Sequence, residues 1–229
     1  MTHDSAHVSS SSRSTGSFER DTDYIPDRIT LEQGRSQDPF EKPLEVPTWP
    51  ADPGRYRLVV AWACPWATRS IIVRQLLGLE DVISMGVCGP THDDRSWRFD
   101  LDPDERDPVL GMERLQEAFL NRFPDYDKGI TVPAMVDVAS REVVTNDFPW
   151  ITHDLFFEWR DHHRPDAPDL WPDDVRDEMD EVMERIYVDS TTVSIDADSP
   201  ATRSRTTRRT RSSSRLSTGS RNVSQTAAS

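Results

Sequence analysis

The stretch Arg57-Leu58-Val59-Val60-Ala61-Trp62-Ala63-Cys64-Pro65-Trp66-Ala67-Thr68-Arg69 decides the fold. Its first half is an apolar, β-branched run that reads as a buried strand, and its second half opens an amphipathic helix. Cys64 falls at the N-cap and Pro65 at the first helical position, where a missing N–H costs nothing. A thiol so placed faces unpaired backbone N–H groups and the positive end of the helix dipole, which lower its pKa below the free value of about 8.5. The pattern predicts a reactive cysteine at a strand-to-helix turn; the bland alternative is a small buried apolar residue.

Working outward, the first helix is expected over 66–77, with Ile72, Val73, Leu76 and Leu77 on its apolar stripe and Gly78 as its C-cap. A second buried strand follows over 82–87, and a strand-helix-strand unit of this length implies a parallel pair joined by a right-handed crossover. Residues 89–107 read as an irregular acidic insertion holding Trp97, and 109–123 as a helix built on Leu110, Met112, Leu115, Ala118, Phe119 and Leu120. In 129–137, Pro133 interrupts an apolar β run. It cannot donate to a ladder, so it belongs at the start of a third strand. A short fourth strand spans 142–145, and Asn146-Asp147-Phe148-Pro149 opens a helix reaching residue 160. A last helical stripe comprises Val175, Met179, Val182, Met183 and Ile186.

The 229 residues carry a net charge of −14, unevenly spread. Residues 190–229 hold seven Arg and two Asp, or +5, which leaves −19 for the rest. A body so acidic argues against nucleic acid as a partner. No apolar run is long enough to cross a bilayer, and residues 1–16 lack the apolar core of a secretory leader, so a cytoplasmic protein is expected. The two cysteines, Cys64 and Cys88, fit a reducing compartment. Cys88 follows an apolar run and reads as buried at a strand end, with a disulfide to Cys64 left open. His92 lies near Cys88 without a second ligand pair, so no metal site is expected. His153, His162 and His163 read as solvated.

Cys64-Pro65-Trp66-Ala67, Thr131-Val132-Pro133 and Val144-Thr145-Asn146-Asp147 together resemble the glutathionyl-hydroquinone reductases, the Xi class of omega-like, cysteine-dependent glutathione S-transferases. Gly16-Ser17-Phe18-Glu19-Arg20 is similar to a segment that precedes the domain in that family, which would make Phe18 and Tyr24 anchors. The resemblance implies an α/β, thioredoxin-like transferase N-terminal domain over 54–160, after a polar extension over 1–53 that wraps it or stays mobile. The start of an all-α C-terminal domain over 165–189 would follow, then a disordered tail over 190–229. It also implies a cis bond before Pro133, with the Val132 backbone turned toward a substrate's cysteinyl group. Trp97 would help cover the bound thiol, and Asp147 would hold its γ-glutamyl end. Lys128 stands beside Gly129, where the family has a basic residue. Phe148 replaces a family hydroxyl, so the co-substrate is glutathione or another low-molecular-weight thiol such as mycothiol.

After Asp189 the family continues Val-Asn-Asn-Gly-Val-Tyr-Arg-Cys-Gly-Phe-Ala, whereas this chain reads Ser190-Thr191-Thr192-Val193-Ser194-Ile195. Codons can be chosen that encode the chain's own tail and that, read one base earlier with G in front, spell the family continuation. A slipped reading frame near Asp189, truncating the helical domain, is therefore expected in preference to a genuine basic arm. The implied activity is release of a hydroquinone from a thiol conjugate through a mixed disulfide on Cys64, with a small-molecule thiol and a quinone or hydroquinone conjugate as partners and a homodimer left open. The alternatives are a monothiol, glutaredoxin-like disulfide reductase and a truncated product without activity.

Overall fold

A computed structural model describes residues 23–90, 92–93 and 96–186. The segment around Phe18, the 190–229 tail and the expected frame slip near Asp189 lie outside the described residues. Within them, one compact unit runs from 23 to 177 and a second takes 178–186.

The elements are β1 (Arg28–Thr30), β2 (Thr48–Pro50), β3 (Tyr56–Ala61), α1 (Pro65–Leu77), β4 (Ser84–Cys88), β5 (His92–Asp93), β6 (Ser96–Trp97), α2 (Gln116–Arg122), β7 (Ala134–Asp137), β8 (Val143–Thr145), α3 (Phe148–Phe157) and α4 (Arg176–Ile186). The central sheet has the order β4-β3-β7-β8. β3 runs parallel to β4, with Ala61 opposite Cys88, and antiparallel to β7, which is antiparallel to β8. This is the mixed sheet of a thioredoxin-like domain. All six residues of β3 are buried, as expected of a strand covered on both faces whose apolar run is interrupted at Arg57 alone.

Arg57 is the charged member of that strand, and it survives there because Asp107, fully buried, meets it at 2.7 Å. Gly86 makes room for the pair: a Cβ on it would stand 2.6 Å from Asp107 Oδ2 and 2.9 Å from Arg57 Nε. At the end of α1, Gly78 takes the left-handed conformation, φ 74°, and closes the helix as its sequence position predicts.

Several expectations need correction. α1 buries Trp66, Ala67, Ser70, Ile71, Val73, Arg74 and Leu77, while Ile72 and Leu76 are exposed. Arg74 is accommodated inside because its guanidinium donates to Ile83 O at 2.7 Å and Glu80 O at 3.2 Å. The helix expected over 109–123 is only α2, Gln116–Arg122. Before it, Gly111 turns the chain at φ 68°, Asp107 Oδ1 accepts the N–H groups of Val109 and Leu110, and the chain then pairs back on β6. In that pairing Leu115 N–H donates to Trp97 O, and Phe99 N–H to Glu113 O. Leu110, Met112 and Leu115 are still buried, so the apolar pattern located core positions without marking a helix. The 89–107 insertion holds the β5–β6 hairpin and a 3-10 turn at Pro103–Glu105.

Residues 23–53 contribute to the body. β1 and β2 pair in parallel, and the backbone of β1 docks on α3, with Ile29 N–H donating to Asp154 Oδ2 at 3.0 Å. Among the described residues, no helix is long and apolar enough to cross a membrane.

Candidate active site

Cys64 is the N-cap of α1, in extended conformation, and its C=O accepts the Thr68 N–H at 3.0 Å as the first helical bond. Its own N–H bonds back to Ala61 O at 3.0 Å, which fixes the two-residue turn between β3 and the helix. The Cys64 residue keeps 7% of its surface exposed, and its Sγ donates to Val132 O at 3.2 Å. The Val132–Pro133 bond is cis. Two segments separated by 68 residues thus meet at one sulfur.

The helix that starts after β8 arrives at the same place. Asn146 is buried and bonds in both directions: its Nδ2 donates to Thr131 Oγ1 at 2.9 Å, and its Oδ1 accepts Ile25 N–H at 2.8 Å. The loop carrying Val132, the turn before α3 and the N-terminal arm are therefore tied together. Asp147 follows as N-cap of α3, half-buried. Burial pushes its carboxyl up to about 6, with the Trp150 amide and Arg28 opposing the rise and Asp154 adding to it. The Phe148 ring stacks obliquely at 5.6 Å on Trp66, two residues beyond Cys64, and meets Tyr24 edge-on at 6.3 Å.

Of the residues singled out by sequence, Cys64, Val132 and Pro133 converge directly. Asp147 joins them through the Phe148–Trp66 and Asn146–Thr131 contacts. Lys128 is exposed and paired with Asp23; it lines a cavity of about 550 Å³ formed by 23–27 and 122–128, whose lining includes neither Cys64 nor Asp147. Trp97 is half-buried on β6 and pairs with His92 across the hairpin. Tyr24 anchors the arm against Phe148. Thr131 and Asn146 escaped notice as site residues, because their link joins positions 15 residues apart through side chains alone.

Both cysteines are free. Cys88 is 1% exposed, and burial, reinforced by Asp107, Asp100 and Asp102, drives its thiol well above the ordinary range. Among the described residues no His, Cys, Asp and Glu cluster suits a metal ion. His153, expected to be solvated, is buried: its Nε2 lies 2.9 Å from Asp38 Oδ2 and its Nδ1 3.1 Å from Arg28. Those partners stand more than a hundred residues away in sequence, which is why local polarity misread it. His163 is half-buried, 3.0 Å from Leu155 O, and burial lowers its pKa.

The chain is similar to several known proteins. The chain is 30% identical over 185 residues to an omega-like glutathione S-transferase of Schizosaccharomyces pombe, covering 79% of this chain and 55% of that one. It is 33% identical over 139 residues to a glutathionyl-hydroquinone reductase of Escherichia coli, covering 60% and 42%. The crystal structure of a glutathione transferase from Gordonia bronchialis is 56% identical and superposes with a TM-score of 0.64 over 72% of this chain and 47% of that one. The chain's relatives and structural neighbours include omega-like and Xi-class glutathione transferases and glutathionyl-hydroquinone reductases. No family model matches it. The chain spans about half the length of the relatives it matches.

Proposed function

We propose that this chain cleaves aromatic thiol conjugates reductively, with glutathione or a related low-molecular-weight thiol as co-substrate. The observation that carries the reading is the meeting of Cys64 Sγ with Val132 O at the N-terminus of α1. A peptide-like thiol pairing its cysteinyl backbone with Val132 would present its sulfur to Cys64 and take over the carbonyl that now accepts the thiol proton. The released Sγ would face the amide end of the helix, an environment that favours thiolate.

The Cys64 thiolate attacks the sulfur of the conjugate, forming an S–S bond as the C–S bond to the ring breaks; the aromatic carbon takes up a proton and leaves as the hydroquinone. A second thiolate from solution attacks the mixed disulfide, regenerating Cys64 and forming a low-molecular-weight disulfide, so one free thiol and the conjugate's own thioether sulfur each give up one electron to reduce the ring carbon. Ala67 stands where a dithiol enzyme keeps its resolving cysteine, so the resolving thiol must come from outside. Asp147 would hold the end of the co-substrate remote from sulfur, with Trp97 and Lys128 as outer contacts. Relatives named as glutathionyl-hydroquinone reductases support the choice of conjugate.

The test is intact mass spectrometry after incubation with a glutathionyl-hydroquinone. Wild-type protein gains one glutathione on Cys64 and releases free hydroquinone, whereas Cys64→Ser gains none and loses turnover by at least about three orders of magnitude. Equal turnover in Cys64→Ser would refute the reading.

A further inference from the structure

The turn that carries Cys64 also carries an indole that the thiol chemistry leaves unused. Cys64 N–H bonds to Ala61 O at 3.0 Å, so Trp62 and Ala63 are the two central residues of a tight turn and Cys64 follows them. Trp62 is 59% exposed, the most exposed of the chain's seven tryptophans. Trp66, Trp150 and Trp171 each lie against another ring, whereas the Trp62 indole stacks on none among the described residues.

Folding gains little from that placement. Tight turns are ordinarily made by small polar residues, and a large ring left in water contributes almost no apolar burial. Ala63 and Pro65 are exposed as well, so the side chains that precede and follow Cys64 form an uncharged, largely apolar surface in a chain where 30% of residues are charged. Two Cα steps of about 3.8 Å separate Trp62 from Cys64, which holds their Cα atoms within about 7.6 Å of each other.

In an aromatic thiol conjugate the ring is bonded directly to the sulfur that Cys64 attacks. Val132 takes the thiol half of the conjugate, which leaves the ring to the surface that the Cys64 turn itself presents. An indole face receives a flat ring in offset or edge contact, and at so exposed a position the ring's hydroxyl groups keep their water. Resting on the thiol-transfer reading above, we infer that Trp62 is a specificity-determining residue: its indole stacks on the aromatic ring of the conjugate and makes the site prefer aryl over alkyl thioethers.

The test compares S-(2,5-dihydroxyphenyl)glutathione with S-methylglutathione, which has the same thiol half without the ring. Dissociation constants are measured by calorimetry on the full chain carrying Cys64→Ser, so that no disulfide chemistry intervenes. Adding Trp62→Ala weakens the aryl ligand by at least about fivefold and the methyl ligand by less than about twofold, while Trp62→Phe keeps the aryl ligand within about twofold. A purely structural role for Trp62 would weaken both ligands alike. An equal loss for both, or no loss for the aryl ligand, overturns the inference and leaves the thiol-transfer reading standing. Failure of the aryl ligand to bind with Trp62 in place overturns the two together.

Discussion

Between pH about 3.9 and about 6, the folded chain keeps a proton on Asp147 that the unfolded chain has lost. The sign follows from linkage: with the folded pKa raised, the native state binds more protons than the unfolded one across that window, so this carboxyl's contribution to stability falls as pH rises through it. Asp147→Asn should therefore gain stability relative to wild type between pH 4.5 and pH 7, measured as the difference in urea unfolding free energies at the two values. An unchanged difference would mean the carboxyl is not desolvated. The residues at this scale that sequence made legible are those whose environment is local. Cys64, Pro65 and Gly78 announce a strand-to-helix turn and a cap through immediate neighbours. His153 does not, because what surrounds it is supplied by Asp38 and Arg28 from the far end of the chain.

At the level of elements, β1 and α3 are joined by charge as well as by packing. Arg28, 2% exposed, bonds to Asp154 through Nε at 2.8 Å, while Glu158 on the turn after α3 accepts the N–H groups of Leu31 and Gln37 and the Ser36 hydroxyl. Removing Asp154 leaves the buried Arg28 with Glu41 as its remaining carboxylate, which costs more than replacing both Arg28 and Asp154 by apolar residues. Asp154→Ala should destabilise by about 3–5 kcal/mol in chemical denaturation, and the double change Arg28→Met with Asp154→Leu by much less. Equal losses in the two variants would show that the ion pair is not what holds the strand. The sheet and α1 were legible because apolar runs and a crossover length suffice to specify them. The extent of α2 was not, since the residues before it pair with β6, a non-local choice that overrode helical spacing. β1 and β2 were equally hidden, three residues each, in a segment whose polarity reads as linker.

Over the whole molecule, charge and apolar surface are unevenly distributed. Val175, Val182 and Ile186 are exposed on and just before α4, at the helical spacing expected from sequence. Exposed apolar stripes drive association. Sedimentation velocity should show concentration-dependent self-association that Val182→Lys with Ile186→Lys suppresses; a monomer insensitive to both changes would contradict this. The fold divides near 177, inside the stretch 165–189 that the sequence reads as the start of a helical domain, and the docking of residues 23–53 depends on partners that no local reading supplies. One of those partners has a further use. Because the Ile25 amide hydrogen rests on Asn146, whose other end grips the loop before the cis proline, a molecule occupying that loop should slow deuterium uptake at Ile25. An isotope signal on the N-terminal arm would then report occupancy of a sulfur centre it never touches.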